Sequence, residues 1–217
     1  MDIMGALREI GTLLLPESCL ACGGRTSTAL CATCLQAFDD SPTVVCVEGV
    51  PCLGWDDHDG RIRVVIRAVK DDRRTAELGL LRMHANRLAA VARRRLASDG
   101  ALWAALPSSA AARRRRGFCL AERAFGRSGE SVREDVLWPV RKLHDQRALS
   151  ASARRSNLAD ALYADRGTVV GRQVLLIDDV MTTGATMRAA RDAVLAGGGD
   201  VVGMLVLART PRALAAR

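Results

Sequence analysis

Val174-Leu175-Leu176-Ile177-Asp178-Asp179-Val180-Met181-Thr182-Thr183-Gly184-Ala185-Thr186 is the stretch that decides the fold. Its four aliphatic residues, Val174 to Ile177, read as a buried strand, with Gln173 before them and two acids after. Thr186 to Ala196 then presents Ala189, Ala190, Ala193 and Val194 on one helical face, and Gly197-Gly198-Gly199 supplies the stop. Val201 to Leu207 is a second buried strand. Strand, helix, strand in that order is a βαβ unit, the element from which parallel sheets are built. The expected fold class is therefore α/β, an open, mostly parallel sheet flanked by helices.

The same stretch carries chemistry. In open parallel sheets, ligands bind beyond the carboxyl ends of the strands, where Asp178 and Asp179 stand. Neighbouring strand residues point to opposite faces, so the two acids need not do the same job. One reaches a ribose diol or a hydrated magnesium ion, while the other orients the loop or supports the ion at one remove. Thr182, Thr183, Gly184, Ala185 and Thr186 lead into a helix whose first N–H groups lack intrahelical partners. Those groups, with the helix dipole, suit a phosphate dianion. Gly184 admits a close backbone approach, and the threonine hydroxyls add donors. The plainer alternative is a strand end followed by a helix cap; the contiguous joining of both pieces in thirteen residues favours the site. The rival phosphate loop G-x-x-x-x-G-K-[ST] is absent from the sequence.

Four of the seven cysteines, Cys19, Cys22, Cys31 and Cys34, form C-x2-C-x8-C-x2-C in a Gly- and Ser-rich segment too short to bury a core. Two such pairs suit a closed tetrahedral zinc site, with reduced structural cysteines or a redox CxxC as the alternatives. Ser41-Pro42 and Val50-Pro51 read as connecting turns, which puts a boundary near residues 40 to 55. The division expected is a four-cysteine head and linker over residues 1–45 and a second domain over residues 46–217. Cys46, Cys52 and Cys119 lack ligand spacing and read as buried residues.

Between these landmarks, Ile62 to Val69 and Ala76 to Leu96 have helical spacing, and Ala101 to Leu106 is a short strand ended by Pro107. Gly117 to Phe125 reads as helix, Val136 to Val140 as a strand interrupted by Pro139, and Leu143 to Asn157 as a long polar loop. Pro107-Ser108-Ser109 and Arg113-Arg114-Arg115-Arg116 read either as a clamp for a pyrophosphate or as a solvated charge run. Gln146 to Asn157 reads either as a lid or as an ordinary exposed loop.

The 217 residues carry a formal net charge of +8, but only Lys70 and Lys142 among the 32 basic residues are lysine. That arginine skew weakens charge as an argument for nucleic acid, and aromatics are only 3%, which leaves few stacking platforms. No secretory signal and no run long enough to span a bilayer is visible, so the chain reads as cytoplasmic. His58, His84 and His144 lie in no recognisable catalytic string.

At Val174 to Thr186 the sequence resembles the signature of type I phosphoribosyltransferases, which bind 5-phosphoribosyl-1-pyrophosphate (PRPP). Carried over by position, the resemblance implies that Asp178 and Asp179 face the ribose hydroxyls and that Thr182 to Thr186 hold the 5′-phosphate. The leading reading adds magnesium with PRPP, and has Arg113, Arg116 and Lys70 neutralise the pyrophosphate. The four-cysteine head, Arg116-Gly117-Phe118, Gln146…Leu149-Ser150…Arg154-x-x-Asn157 and the PRPP motif, in that order, are similar to the ComF family. That resemblance implies structural zinc and, in some bacteria, a link to DNA uptake. The family usually has Pro-Val-Pro where this chain has Ala105-Leu106-Pro107, and Asn-Gln where it has Cys119-Leu120. Two competing readings stand beside phosphoribosyl transfer: a non-catalytic factor handling single-stranded DNA with DNA-uptake proteins, and a nucleotide-sensing regulator using the same pocket.

Overall fold

The computed structural model describes residues 18–38, 41–57, 59–71, 77–96, 100–108, 110–126, 131–139 and 162–210. The polar stretch from Leu143 to Asn157, with its proposed lid, lies outside the described residues, as do His58 and His144.

In chain order the elements are α1 (Ala32–Leu35), β1 (Thr43–Val47), β2 (Val50–Asp56), α2 (Arg61–Lys70), α3 (Leu78–Arg95) and β3 (Leu102–Ala105). Then follow α4 (Ala110–Arg116), α5 (Leu120–Phe125), β4 (Val132–Arg133), β5 (Leu137–Pro139) and β6 (Leu162–Ala164). The chain continues through α6 (Arg166–Val169), β7 (Gln173–Met181), α7 (Ala185–Ala196) and β8 (Asp200–Arg209). Six strands form one sheet in the order β1-β2-β8-β7-β3-β4. Every pairing from β2 to β4 is parallel, and β1 alone runs antiparallel, against β2. β5 and β6 make a separate antiparallel ribbon. The expected α/β fold with a mostly parallel sheet is what the chain adopts.

Alternation along β7 builds two cores. Leu175 and Ile177 join Leu53, Trp103, Leu205 and the inner faces of α2, α3 and α5. Val174 and Leu176 face the other way, onto Met187, Ala190 and Val194 of α7. The strand, buried on both faces, therefore needs an unbroken aliphatic run, which Val174 to Ile177 provides. The cysteine segment is not a separate body: Cys19, Leu30, Cys34 and Phe38 belong to the same core as α2 and α3.

Five readings change. Cys46, expected to be buried, is exposed on β1, whereas Cys52 and Cys119 are buried. Val50-Pro51 is the start of β2 rather than a turn. Pro51 is tolerated because pairing with β8 begins only at Cys52, so at Pro51 only β1 is alongside. The sheet thus begins at Thr43, and β1 runs across the expected boundary at residues 45 and 46. Gly117 to Phe125 is not one helix: the arginine run ends α4, Gly117 separates, and α5 starts at Leu120. Finally, β7 continues to Met181, so both acids lie within the strand, where β8 still pairs with it as far as Arg209.

Candidate functional site

α2 ends at the site because of how it starts. Asp57 accepts hydrogen bonds from the backbone N–H groups of Ile62 at 3.0 Å and Arg63 at 3.1 Å, and from Arg63 Nε at 2.7 Å. Its carboxylate thereby satisfies the free donors of the first turn. At the other end of the helix, Lys70 Nζ meets Asp179 Oδ1 at 2.6 Å. Asp178 accepts from the Asp179 backbone N–H at 2.8 Å. Burial, with the Asp179 carboxylate beside it, pushes Asp178 up to about 8.

A cavity of about 430 Å³ opens here, at the carboxyl ends of β3 and β7. Asp178, Asp179, Lys70, Arg116 and Thr186 line it, five residues singled out from sequence. Ser108 of the Pro107 turn lines it too and accepts from Arg116 Nη2 at 3.3 Å. The buried Nε of Arg116 has no partner among the described residues, a donor left over for an anion. Thr182, Thr183, Gly184 and Ala185 border the start of α7 rather than the cavity wall. Arg113 is not among the lining residues and instead pairs with Glu134 at 2.7 Å.

Asp71, Arg115 and Cys119 also line the cavity. Asp71 carries no motif signal although it follows Lys70 directly, and Arg115 pairs with it at 3.2 Å. Cys119 does more than the plain buried residue its spacing implies. It is buried and its thiol is pushed up by that burial, yet it borders the cavity.

The loop before α7 has the form an anion needs. Gly184 is the N-cap residue at φ 73°, in the left-handed region, and has no side chain of its own to cap the helix. Ala185 N–H reaches Thr183 Oγ1 at 3.3 Å, and the first turn holds no acid. β8 fastens the loop from below, since the Thr210 N–H donates to the Met181 carbonyl at 3.0 Å.

At the opposite end of α2, the four cysteines converge. Cys19 and Cys22 sit on a turn closed by the Ser18–Arg25 bridge, while Cys31 caps α1 and Cys34 lies within it. Their sulfur atoms all lie within 4.8 Å of one another, with Cys22 and Cys31 at 3.7 Å. Tetrahedral zinc–thiolate bonds of about 2.3 Å give sulfur–sulfur edges of about 3.8 Å, so the donor set fits such an ion. Among the described residues, no helix is long and apolar enough to cross a membrane.

Comparison with known proteins bears on part of the chain. The chain is 40% identical over 98 residues to an adenine phosphoribosyltransferase of Kineococcus radiotolerans, covering 42% of this chain and 49% of that protein. It is 38% identical over 96 residues to an adenine phosphoribosyltransferase of Frankia casuarinae, covering 42% and 48%. The chain thus spans about half the length of these curated relatives. Residues 138–216, which contain β7, α7 and β8, match the family described as Phosphoribosyl transferase domain.

Proposed function

We propose that the cavity binds PRPP with magnesium, and that the protein is a ComF-type phosphoribosyltransferase with a zinc head. The observation that carries this reading is the convergence of Asp178, Asp179, Lys70, Arg116 and Thr186, from three separated stretches of sequence, on one space. In this reading the 5′-phosphate takes the free N–H groups at the start of α7, bordered by Thr182 to Thr186. Asp178 and Asp179 meet the ribose hydroxyls. Lys70 leaves Asp179 to neutralise the pyrophosphate together with Arg116, whose unpartnered Nε supplies a donor. Arg113 would join them only by releasing Glu134.

Magnesium, held through Asp178 or Asp179 and water, would supply neutralisation of the charge that builds on the departing pyrophosphate. Displacement at the anomeric carbon asks the protein for alignment and charge stabilisation rather than for a nucleophile. His84, the one histidine among the described residues, sits in the core away from the cavity lining. Zinc on Cys19, Cys22, Cys31 and Cys34 would hold a segment too short to fold alone. The arginine run of α4, exposed at Arg113, Arg114 and Arg115, keeps a second reading in view, a factor that handles single-stranded DNA.

A turnover assay separates the readings. Purified protein with PRPP and magnesium is supplied with a panel of nucleobases, and pyrophosphate release is followed. Release with one base supports the transferase. PRPP binding with no release across the panel supports the sensor instead. Absence of PRPP binding, with oligonucleotide affinity that falls steeply with salt, supports the DNA-handling factor.

A further inference from the structure

We infer that Arg188 is a binding residue for the terminal phosphate, adding a full positive charge to the site that α7 opens. The inference rests on the reading of the cavity as a ribose 5-phosphate site. Arg188 stands one turn into α7, and its side chain folds back over the helix start. Nη1 donates to the Thr183 carbonyl at 3.1 Å. The guanidinium lies over the N-cap residue itself: a Cβ built on Gly184 would stand 3.3 Å from Nη1. Glycine at 184 therefore serves the left-handed turn and also leaves room for this side chain.

On stability grounds alone this is a poor arrangement. The positive end of a helix favours an anionic or hydroxyl cap, and cations there are disfavoured. Here the N-cap glycine has no side chain to cap the helix, the Thr183 hydroxyl takes only the Ala185 N–H, no acid occupies the first turn, and an arginine is folded onto it. Backbone donors, dipole and guanidinium all carry the same sign, and no carboxylate forms an ion pair with Arg188 at 4.0 Å or less among the described residues. The Thr183 carbonyl holds one N–H of the fork and leaves the others to turn toward a ligand. A dianionic phosphate seated on the Thr183 to Thr186 backbone would complete the charge balance, with the planar fork adding direction to the dipole. The ligand class selected is a phosphate monoester of a sugar; an unphosphorylated ribose would leave the guanidinium and the helix start unmatched.

The test is calorimetry on the full chain with two separate probes, ribose 5-phosphate and magnesium pyrophosphate. The variants are Arg188→Gln and Arg188→Lys, with circular dichroism to verify folding. The inference predicts that Arg188→Gln weakens ribose 5-phosphate roughly tenfold, the effect of losing one charge-assisted contact. Arg188→Lys should recover part of that loss, and raising the salt should narrow the gap. Pyrophosphate affinity should stay within about twofold, because that ligand belongs to the Lys70 and Arg116 end. Equal binding of ribose 5-phosphate by wild type and Arg188→Gln would overturn the role of Arg188 and leave the site standing. No binding by wild type would overturn the reading of the site itself. Equal loss for both probes would mark Arg188 as a general support of the fold and also overturn the inference.

Discussion

Consider an equilibrium urea titration repeated between pH 7.5 and pH 5.0, on wild type and on His84→Phe. His84 lies fully buried on α3, stacked on Trp55 at a ring-centroid distance of 3.5 Å and edge-on to Phe38 at 4.7 Å. Neither of its nitrogens has a hydrogen-bond partner among the described residues. Burial, with the Arg87 charge nearby, lowers its pKa to about 3. In the unfolded chain a histidine titrates near about 6.5, so below that pH the unfolded state binds a proton that the folded state refuses. Stability from neutral His84 is complete above about 6.5 and falls by about 1.4 kcal/mol per pH unit below it. Between pH 7.5 and 5.0 the loss comes to about 2 kcal/mol. Asp178 acts with the opposite sign: its raised value means stability lost as pH rises toward about 8, so the wild-type curve alone mixes the two. The difference between wild type and His84→Phe removes Asp178 and every other shared group. The phenyl ring keeps the stacking area and does not titrate. The account predicts that the variant gains about 2 kcal/mol relative to wild type on going to pH 5.0, a midpoint shift of roughly 1 M urea. Parallel curves for the two proteins would refute it, since His84 would then be free to accept a proton in the folded state.

Other consequences are open to measurement. Gly54→Ala should lower stability by about 1–3 kcal/mol in thermal unfolding, because its Cβ would fall 2.6 Å from Val206 Cγ2 and 2.8 Å from the Val206 carbonyl. Lys70→Met should cost about 1–2 kcal/mol at neutral pH by leaving Asp179 unpaired in a partly buried site, and should weaken magnesium pyrophosphate about tenfold in calorimetry. Metal analysis should find one zinc per chain, lost in Cys34→Ser. Because Cys34 and Phe38 share the core of α2 and α3, that loss should shift Trp55 fluorescence and the melting temperature of the whole protein.

The most regular part of the fold was the most legible. β7, α7 and β8 announce themselves because a strand buried on both faces must be wholly aliphatic and a crossover helix must show one apolar face. The cysteine cluster was legible from spacing alone. The β1–β2 hairpin was not, since Pro51 reads as a strand breaker unless one knows that β8 begins pairing at the next residue. A signal was present: Glu48 and Gly49, at φ 50° and 80°, form the tight two-residue turn that joins twisted strands. The strand length of β7 was hidden for a similar reason. Acids mark a strand end by propensity, but parallel pairing with β8 carries the ladder through Asp178 and Asp179. At the site, the motif residues were visible because their chemistry is contiguous. Asp71, Arg115 and Cys119 come to the cavity through the packing of α2, α4 and the turn before α5, which no local pattern records. Arg113 and Arg116 look equivalent in the run, yet only Arg116 reaches the cavity while Arg113 pairs with Glu134.

The central claim is that the stretch from Val174 to Thr186 holds a phosphorylated ribose. Calorimetric titration of PRPP with magnesium into wild type and into Asp178→Asn/Asp179→Asn tests it most directly. The account predicts one site per chain in wild type, and a loss of at least tenfold in affinity when both carboxyls become amides. Saturable binding that the double substitution leaves unchanged, or no binding at all, would contradict it.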